Sequence, residues 1–501
     1  HSFFVLLICW RDESVLCTPF MSSLKTNVVL NFLNTVTGII FPVITFPYAA
    51  RVLLPEGIGA VNFLQSIVAY IVLSTSLGIP MYAVREVAKY RDDVAIRNRI
   101  TVEILLLSVI LCLFGYVAVA VLGIYVSQIS AQLGVFYALS LTILFTSLGV
   151  NWFYQAIEDF KFITIRALCF RLLAALGLFL FVKDKDDLLI YAFVLVGSTV
   201  GNNLINFIHL RKWIPFHSVT WAELHIWRHL RPSLRIFVFN LVTSIYLNLN
   251  TVMLGFMRGD DAVGFYTAGN KLSHVVLSVV ASLGVVLLPR CSNLIETGQM
   301  EAFSKVTNRS YRLVVSLSLP CIVGLIVLAT PVICIFCGEE FLEAVPVLCW
   351  TAPIILFIGL SNVIGLQILY PLGKESIVIW STVGGAVLNF LLNLLLIPLQ
   401  GAVGAAISTF GAELIVLLIQ IVVGRRSLPI RLFERDYLNY LQASVLMAFA
   451  LLGLSLLISN SWSLIAASVM VGVFSYAGFL WIKRDVLFLE VFSYATKLIK
   501  K

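Results

Sequence analysis

The stretch ITVEILLLSVILCLFGYVAVAVLG, residues 100–123, contains a single ionisable carboxylate, Glu103, in an otherwise apolar run. At a rise of about 1.5 Å per residue, a helix of this length covers the roughly 30 Å hydrocarbon core of a bilayer. Comparable runs, each closed by a short polar connector, fall at 24–46, 60–82, 132–155, 164–182, 187–208, 236–257, 265–288, 313–336, 345–369, 377–397, 401–423, 437–458 and 463–482. The expected fold class is therefore an all-α polytopic membrane protein with about fourteen transmembrane helices. Composition agrees: 60% of the 501 residues are apolar and 12% are charged, too few for a soluble domain between the runs.

Charge sets the expected orientation. Arg85, Lys89, Arg91, Arg97 and Arg99 follow the second run, Arg211, Lys212, Arg228, Arg231 and Arg235 the sixth, and Arg425, Arg426, Arg431 and Arg435 the twelfth. Placing these connectors in the cytoplasm leaves Arg51, Lys183, Lys185 and Arg258 outside and puts both termini inside. The net charge of +8 is then a topology signal, and nucleic acid is excluded as a partner because no soluble basic face exists. Residues 1–20, HSFFVLLICWRDESVLCTPF, lack the pattern found after Met21 and are expected to be a non-native or disordered extension. Cys334-x-x-Cys337 has motif spacing but no second pair and no neighbouring His, so incidental packing is expected and no metal site.

The halves repeat. Asn34-Thr-Val-Thr37 matches Asn240-Leu-Val-Thr243, Pro55-Glu-Gly-Ile-Gly59 matches Gly259-Asp-Asp-Ala-Val-Gly264, and Ser76-Leu-Gly78 matches Ser282-Leu-Gly284. Six crossings separate each pair, so both copies enter the membrane alike and are related by an axis along its normal. Two pseudo-symmetric six-helix lobes are expected to face each other across a cleft: an N-lobe 21–210, a cytoplasmic linker 211–235 and a C-lobe 236–424. Two extra helices at 437–482 and a cytoplasmic tail at 483–501 follow.

Helical spacing nominates what lines the cleft. Thr267, Asn270, Lys271, His274 and Ser278 share one stripe of the eighth run, with Val275, Val276, Leu277 and Val279 around it. Asn31, Asn34 and Thr35 repeat the pattern on the first run, and Asn240, Thr243, Ser244, Asn248 and Thr251 on the seventh. Such stripes either glue helices together or line a hydrated passage; their recurrence on paired helices and the ammonium of Lys271 favour the passage. Lys271, Arg51, Arg171 and Arg258 together imply an anionic, phosphate-bearing substrate, against the alternative of snorkelling to headgroups. Glu413, Asn389, Asn393 and Asn248 are oxygen donors suited to a hard cation or a proton, against a carboxyl simply bonded to a neighbouring helix. Trp152, Tyr154, Tyr70 and Tyr266 fit interfacial anchoring better than sugar stacking.

The segments Asn31-Phe-Leu-Asn34, Phe46-Pro-Tyr-Ala-Ala-Arg51-Val-Leu-Leu-Pro-Glu-Gly-Ile-Gly59-Ala-Val-Asn-Phe63 and Gly264-Phe-Tyr-Thr-Ala-Gly-Asn-Lys271 resemble those of the Wzx/RfbX oligosaccharide-unit flippases of the MOP superfamily. The resemblance implies a V-shaped, MATE-like arrangement of the two lobes. It also implies translocation of an undecaprenyl-pyrophosphate-linked repeat unit of O-antigen, capsule or exopolysaccharide to the outer leaflet of a bacterial inner membrane, by alternating access. Arg51 and Lys271 are the counterparts of the cavity cations in related lipid II flippases, while the second run offers no cation. Asn389 and Asn393 match the spacing of a sodium site among runs seven, eleven and twelve, so H+ or Na+ is the implied coupling ion, and no cofactor is implied. Runs thirteen and fourteen would form a groove for the lipid tail. Membrane lipids and glycan polymerase or ligase machinery are the implied partners. Two other classes stand beside this one. A multidrug antiporter of the same superfamily would favour acidic cavity residues, and a membrane glycan polymerase or ligase, the enzyme alternative, would need outer loops longer than the roughly ten residues available here.

Overall fold

The computed structural model describes residues 20–214, 224–432, 434–490 and 493; the side chains of 20–36, 39, 238–240, 242–246, 282–286 and 435 lie outside the described set. Almost all of the expected 1–20 extension is therefore outside it too. Among the described residues every regular element is helical, and eleven segments are long and apolar enough to cross a membrane.

The chain divides into two compact units at Gly264–Phe265. The first holds α1 (Phe20–Ser76), α2 (Ile79–Lys89), α3 (Val94–Tyr125), α4 (Leu133–Leu148), α5 (Asn151–Ala156), α6 (Phe160–Phe181), α7 (Leu188–Leu210) and α8 (Leu230–Arg258). Helix α1 is two arms joined at Leu54, whose φ of 61° and ψ of 176° are rare for an L-residue. Pro55 causes the break, because its ring disfavours helical geometry in the residue before it. The first arm contains the expected run 24–46, whereas the run 60–82 is broken at Leu77–Gly78, both at positive φ, and ends inside α2. Asp93 caps α3 by accepting from the Ala95 and Ile96 N–H groups at 3.1 Å, and Asp159 caps α6 through Phe162 N–H at 3.2 Å. Lipid gives helices no hydrophobic drive to associate, so fit decides packing. A Cβ on Gly255 of α8 would sit 2.1 Å from the Phe63 ring, so only glycine lets α8 close on α1.

The turn at Leu54–Gly59 is tighter still. A Cβ on Gly59 would fall 1.7 Å from the Asp260 carbonyl oxygen, and one on Gly264 would fall 2.1 Å from the Pro55 carbonyl oxygen. These are repeat-matched glycines, and each meets the turn that holds the other.

The second unit begins within α9 (Asp260–Glu296) and continues with α10 (Met300–Val327), α11 (Ala329–Phe336), α12 (Ala344–Thr351), α13 (Ile354–Asn362), a π-helical turn at Val363–Leu369, α14 (Glu375–Gln400), α15 (Ala402–Gly424), α16 (Arg435–Leu457) and α17 (Ser461–Ile482). Two expected single spans are broken. The run 313–336 is interrupted at Leu328, because Pro331 has no N–H to offer the preceding turn. The run 345–369 is interrupted at Ala352–Pro353 and widens into the π turn. Helices α14 and α15 form a tight pair through the Gly401 turn, with φ 56°. Helices α10, α16 and α17 pack together.

Candidate functional site

Helix α9 sorts its residues by face. Ala268, Leu272, Ser273 and Leu277 are buried within the second unit, where the Ser273 and Thr351 hydroxyls are 2.8 Å apart. Thr267, Asn270, Lys271 and Ser278 are half-buried and His274 is exposed, so the expected polar stripe lies off the packed face. The Asn270 Oδ1 is shielded without a hydrogen-bond partner. Of the apolar residues around the stripe, Leu277 is buried and Val279 is 66% exposed, and Ser273 also sits on the buried face.

A cavity of about 620 Å³ runs between α10, α16 and α17, walled by Leu317, Gly324, Met447, Leu451, Gly472 and Tyr476. Pro320 and Gly324 carry no bulky side chain on α10, which opens its wall. At one end Asp485 is buried and accepts from the Tyr440 hydroxyl at 3.1 Å and the Phe488 N–H at 2.9 Å. Val276 of α9 also lines the cavity. It stands five residues from Lys271, about 140° around the helix and about 7.5 Å along it. One helix thus presents a cation on one side and a groove wall on the other.

The ion-coupling candidates are partly brought together. Asn389 and Asn393 are buried on α14, where the Asn393 amide donates to Asn389 Oδ1 at 3.2 Å. Glu413 is buried on α15, the helix paired with α14. Asn248 is half-buried on α8 in the first unit. Asn34 and Asn240 lie outside the described side chains.

In the first unit, Arg171 of α6 does not snorkel: its Nη1 donates to the Thr37 hydroxyl at 2.6 Å, and the guanidinium lies over Gly38 of α1. Arg51 and Arg258 are exposed, near the turns at Leu54 and Gly259. Trp152, Tyr154 and Tyr266 are 5%, 0% and 4% exposed, so they are core residues and not interfacial anchors. Tyr154 is held by hydrogen bonds to the Asn206 carbonyl and to His209, and Tyr266 by Thr409. Polar groups crowd the α3 end as well. The Glu103 carboxylate, fully buried, accepts from His225 N–H at 2.8 Å, Arg228 Nε at 2.9 Å and His229 Nε2 at 2.8 Å. On its other side the His229 ring meets the Tyr82 hydroxyl at 2.8 Å. With Nε2–H given to Glu103, a neutral ring leaves Nδ1 to accept from Tyr82.

Two residues escaped the sequence reading. Arg166 of α6 is 5% exposed and donates to Asn202 Oδ1 at 2.5 Å and Asn151 Oδ1 at 2.8 Å. Asn202 and Asn206 stand at i and i+4 on the seventh helix, a signal that could have flagged it. Gln367, fully buried in the π turn, has no hydrogen-bond partner at either amide atom. Nothing in its apolar sequence surroundings marks it.

The chain is similar along most of its length to known proteins. A candidate O-antigen transporter of Escherichia coli K12 is 23% identical over 405 residues, spanning 79% of this chain and 95% of the relative. The solved structure of the lipid II flippase MurJ, in an inward closed conformation, matches with a TM-score of 0.71 at 17% identity, covering 92% of this chain and all of that one. An inward-facing multidrug-resistance MATE transporter of the MOP superfamily matches at 0.63 and 12% identity, covering 80% and 97%. These two structures establish the fold. The MatE family matches residues 236–395. The polysaccharide biosynthesis protein family matches residues 24–295, more than half of the chain. By that match, on a multi-pass helical fold with a cation-bearing stripe beside an apolar groove, this chain belongs to the polysaccharide biosynthesis protein family.

Proposed function

We propose that the chain is a flippase for a polyprenyl-pyrophosphate-linked oligosaccharide, moving the head group from the cytoplasmic to the outer leaflet of a bacterial inner membrane. The observation that carries this reading is the division of labour on α9 and its neighbours. The substrate class has a charged, sugared head that hydrocarbon rejects and a tail that hydrocarbon accepts. Lys271 lies on a polar stripe suited to the head, and the α10–α16–α17 groove is an apolar channel suited to the tail. No bond is made or broken; the protein acts as a transporter, in line with the names of its relatives. Coupling to H+ or Na+ is assigned to Glu413, Asn389 and Asn393, whose buried oxygens are the available ligands or proton carriers.

The test uses liposomes carrying a fluorescent lipid-linked oligosaccharide and an impermeant quencher. Wild-type protein should expose the inner-leaflet pool. Lys271→Met, which keeps the stem and drops the charge, should abolish exposure, and Lys271→Arg should keep part of it. Wild-type flipping by the Met variant would refute the role of the cation. A drug exporter is the second reading, favoured by the MatE match over α8–α14; extrusion of a cationic dye without lipid movement would select it.

A further inference from the structure

Two cavities on the first unit join into one trench between α6 and α7. One, about 570 Å³, lies against Phe162, Ile165 and Arg166, and the other, about 340 Å³, against Gly177, Phe193 and Gly197; Phe170 and Leu173 line both. From Lys161 to Phe181 the trench follows about 30 Å of helix, the depth of a hydrocarbon core. Its walls are apolar and open outward, with Leu173 57% and Phe193 50% exposed. A bilayer lays lipid chains along such a face.

The Lys161 end is different. Arg166 is buried there with its guanidinium on two amide oxygens and over the Phe162 ring, 4.7 Å from its centroid, and its Nη1 has no hydrogen-bond partner. The one acid lining this end, Asp159, spends its Oδ1 on the cap of α6. The guanidinium donates only to neutral oxygens, and with Asp159 nearby already committed in part to the cap, a buried charge so placed gains from a further anion close by. Lys161 and Arg166 set against Asp159 leave one net positive charge. That balance suits a phosphodiester and not the heavier charge of a diphosphate.

We infer that the α6–α7 trench binds one anionic glycerophospholipid, in the cytoplasmic leaflet in the orientation expected from charge. Lys161 and Arg166 supply the positive field for its phosphate, and one acyl chain lies past Phe170 and Leu173 toward Gly197. The occupant is a phospholipid because the trench offers a single net charge and lies on a lipid-facing helix pair.

Native mass spectrometry of the purified full-length protein, titrated with phosphatidylglycerol or phosphatidylcholine, tests this. Wild type should retain phosphatidylglycerol preferentially, and Arg166→Gln should reduce that preference by about fivefold, the effect of one basic side chain at a membrane surface. If Arg166→Gln does not fold, Lys161→Gln carries the same expectation. Gly197→Trp places a ring where a Cβ meets no atom within 4 Å, so the protein should fold and lose phosphatidylglycerol retention. Equal retention of both lipids by wild type, or wild-type retention by Gly197→Trp, overturns the inference. Displacement of phosphatidylglycerol by equimolar polyprenyl monophosphate overturns the phospholipid assignment.

Discussion

Asp260, at the start of α9 in the turn at Gly259, gives a quantitative test of how that turn is held. Burial, with help from Glu56 and Asp261, raises its pKa from 3.8 to about 6. Among the described residues its side chain accepts one weak hydrogen bond, from Gln132 Nε2 at 3.4 Å. An acid with a raised folded pKa keeps its full stabilising share below the unfolded value and loses it as pH rises through the folded value. The window is therefore about pH 4 to 6, and above it the ionised group is a liability. A two-unit shift corresponds to about 3 kcal/mol, but Asp260 sits at a helix N-terminus, which favours the anion by about 0.3–1 kcal/mol, and water screens part of the rest. About 1–2 kcal/mol remains, or roughly 2–8 °C for a unit of this size. Asp260→Asn should raise the unfolding temperature of the detergent-solubilised protein by that amount at pH 8 and leave it nearly unchanged well below the unfolded pKa of 3.8. A destabilised variant at pH 8 would mean that the carboxylate serves as a helix-capping anion, and an equal shift at both pH values would mean that charge is irrelevant; either refutes the reasoning.

Glu103→Gln removes the charge that Arg228 and Arg99 approach and should lower stability by about 3–5 kcal/mol, roughly 10 °C by thermal unfolding, because the partners stay behind in a buried network. Glu301→Gln, which breaks an exposed pair with Lys305, is the control and should leave the transition where it is. Gly59→Ala must push the Asp260 carbonyl away from a 1.7 Å approach, so folded protein should be lost in fluorescence-detected size-exclusion chromatography, whereas Gly197→Ala should be tolerated. Gln367→Met removes an amide with no partner and should be neutral or stabilising by up to about 1–3 kcal/mol; a marked loss of stability would show that Gln367 is satisfied by bound water.

The run at 100–123 was legible because a bilayer fixes the length and polarity of whatever crosses it, and the same constraint placed the other helices. The break at Leu328 and the π turn at Val363–Leu369 were not, since a membrane helix tolerates proline and an extra residue as long as neighbours absorb the unpaired backbone groups. Lys271 could be found from spacing within one helix. For Arg166 spacing offered only the Asn202 and Asn206 pair on another helix, and its second oxygen comes from Asn151 on a third. The Glu103 site was equally hidden, assembled from His225, Arg228 and His229 more than a hundred positions away. Tyr154 and Tyr266 were misjudged because amphipathic rings near a helix end suit either the interface or a core that offers their hydroxyls a partner.

The meeting of Gly59 and Gly264 also has a temporal side. The two residues are separated by 205 positions, so a ribosome adding about 5–20 residues per second delivers the second roughly 10 to 40 s after the first. Throughout that interval the Pro55 carbonyl has no Gly264 backbone against it. A nascent chain halted after Leu210 would present an unfinished surface to quality-control proteases, and one halted after Gly264 would have closed it. Maturation of the amino-terminal half therefore waits on the arrival of the segment around Gly264, and synthesis order becomes part of how the fold is completed.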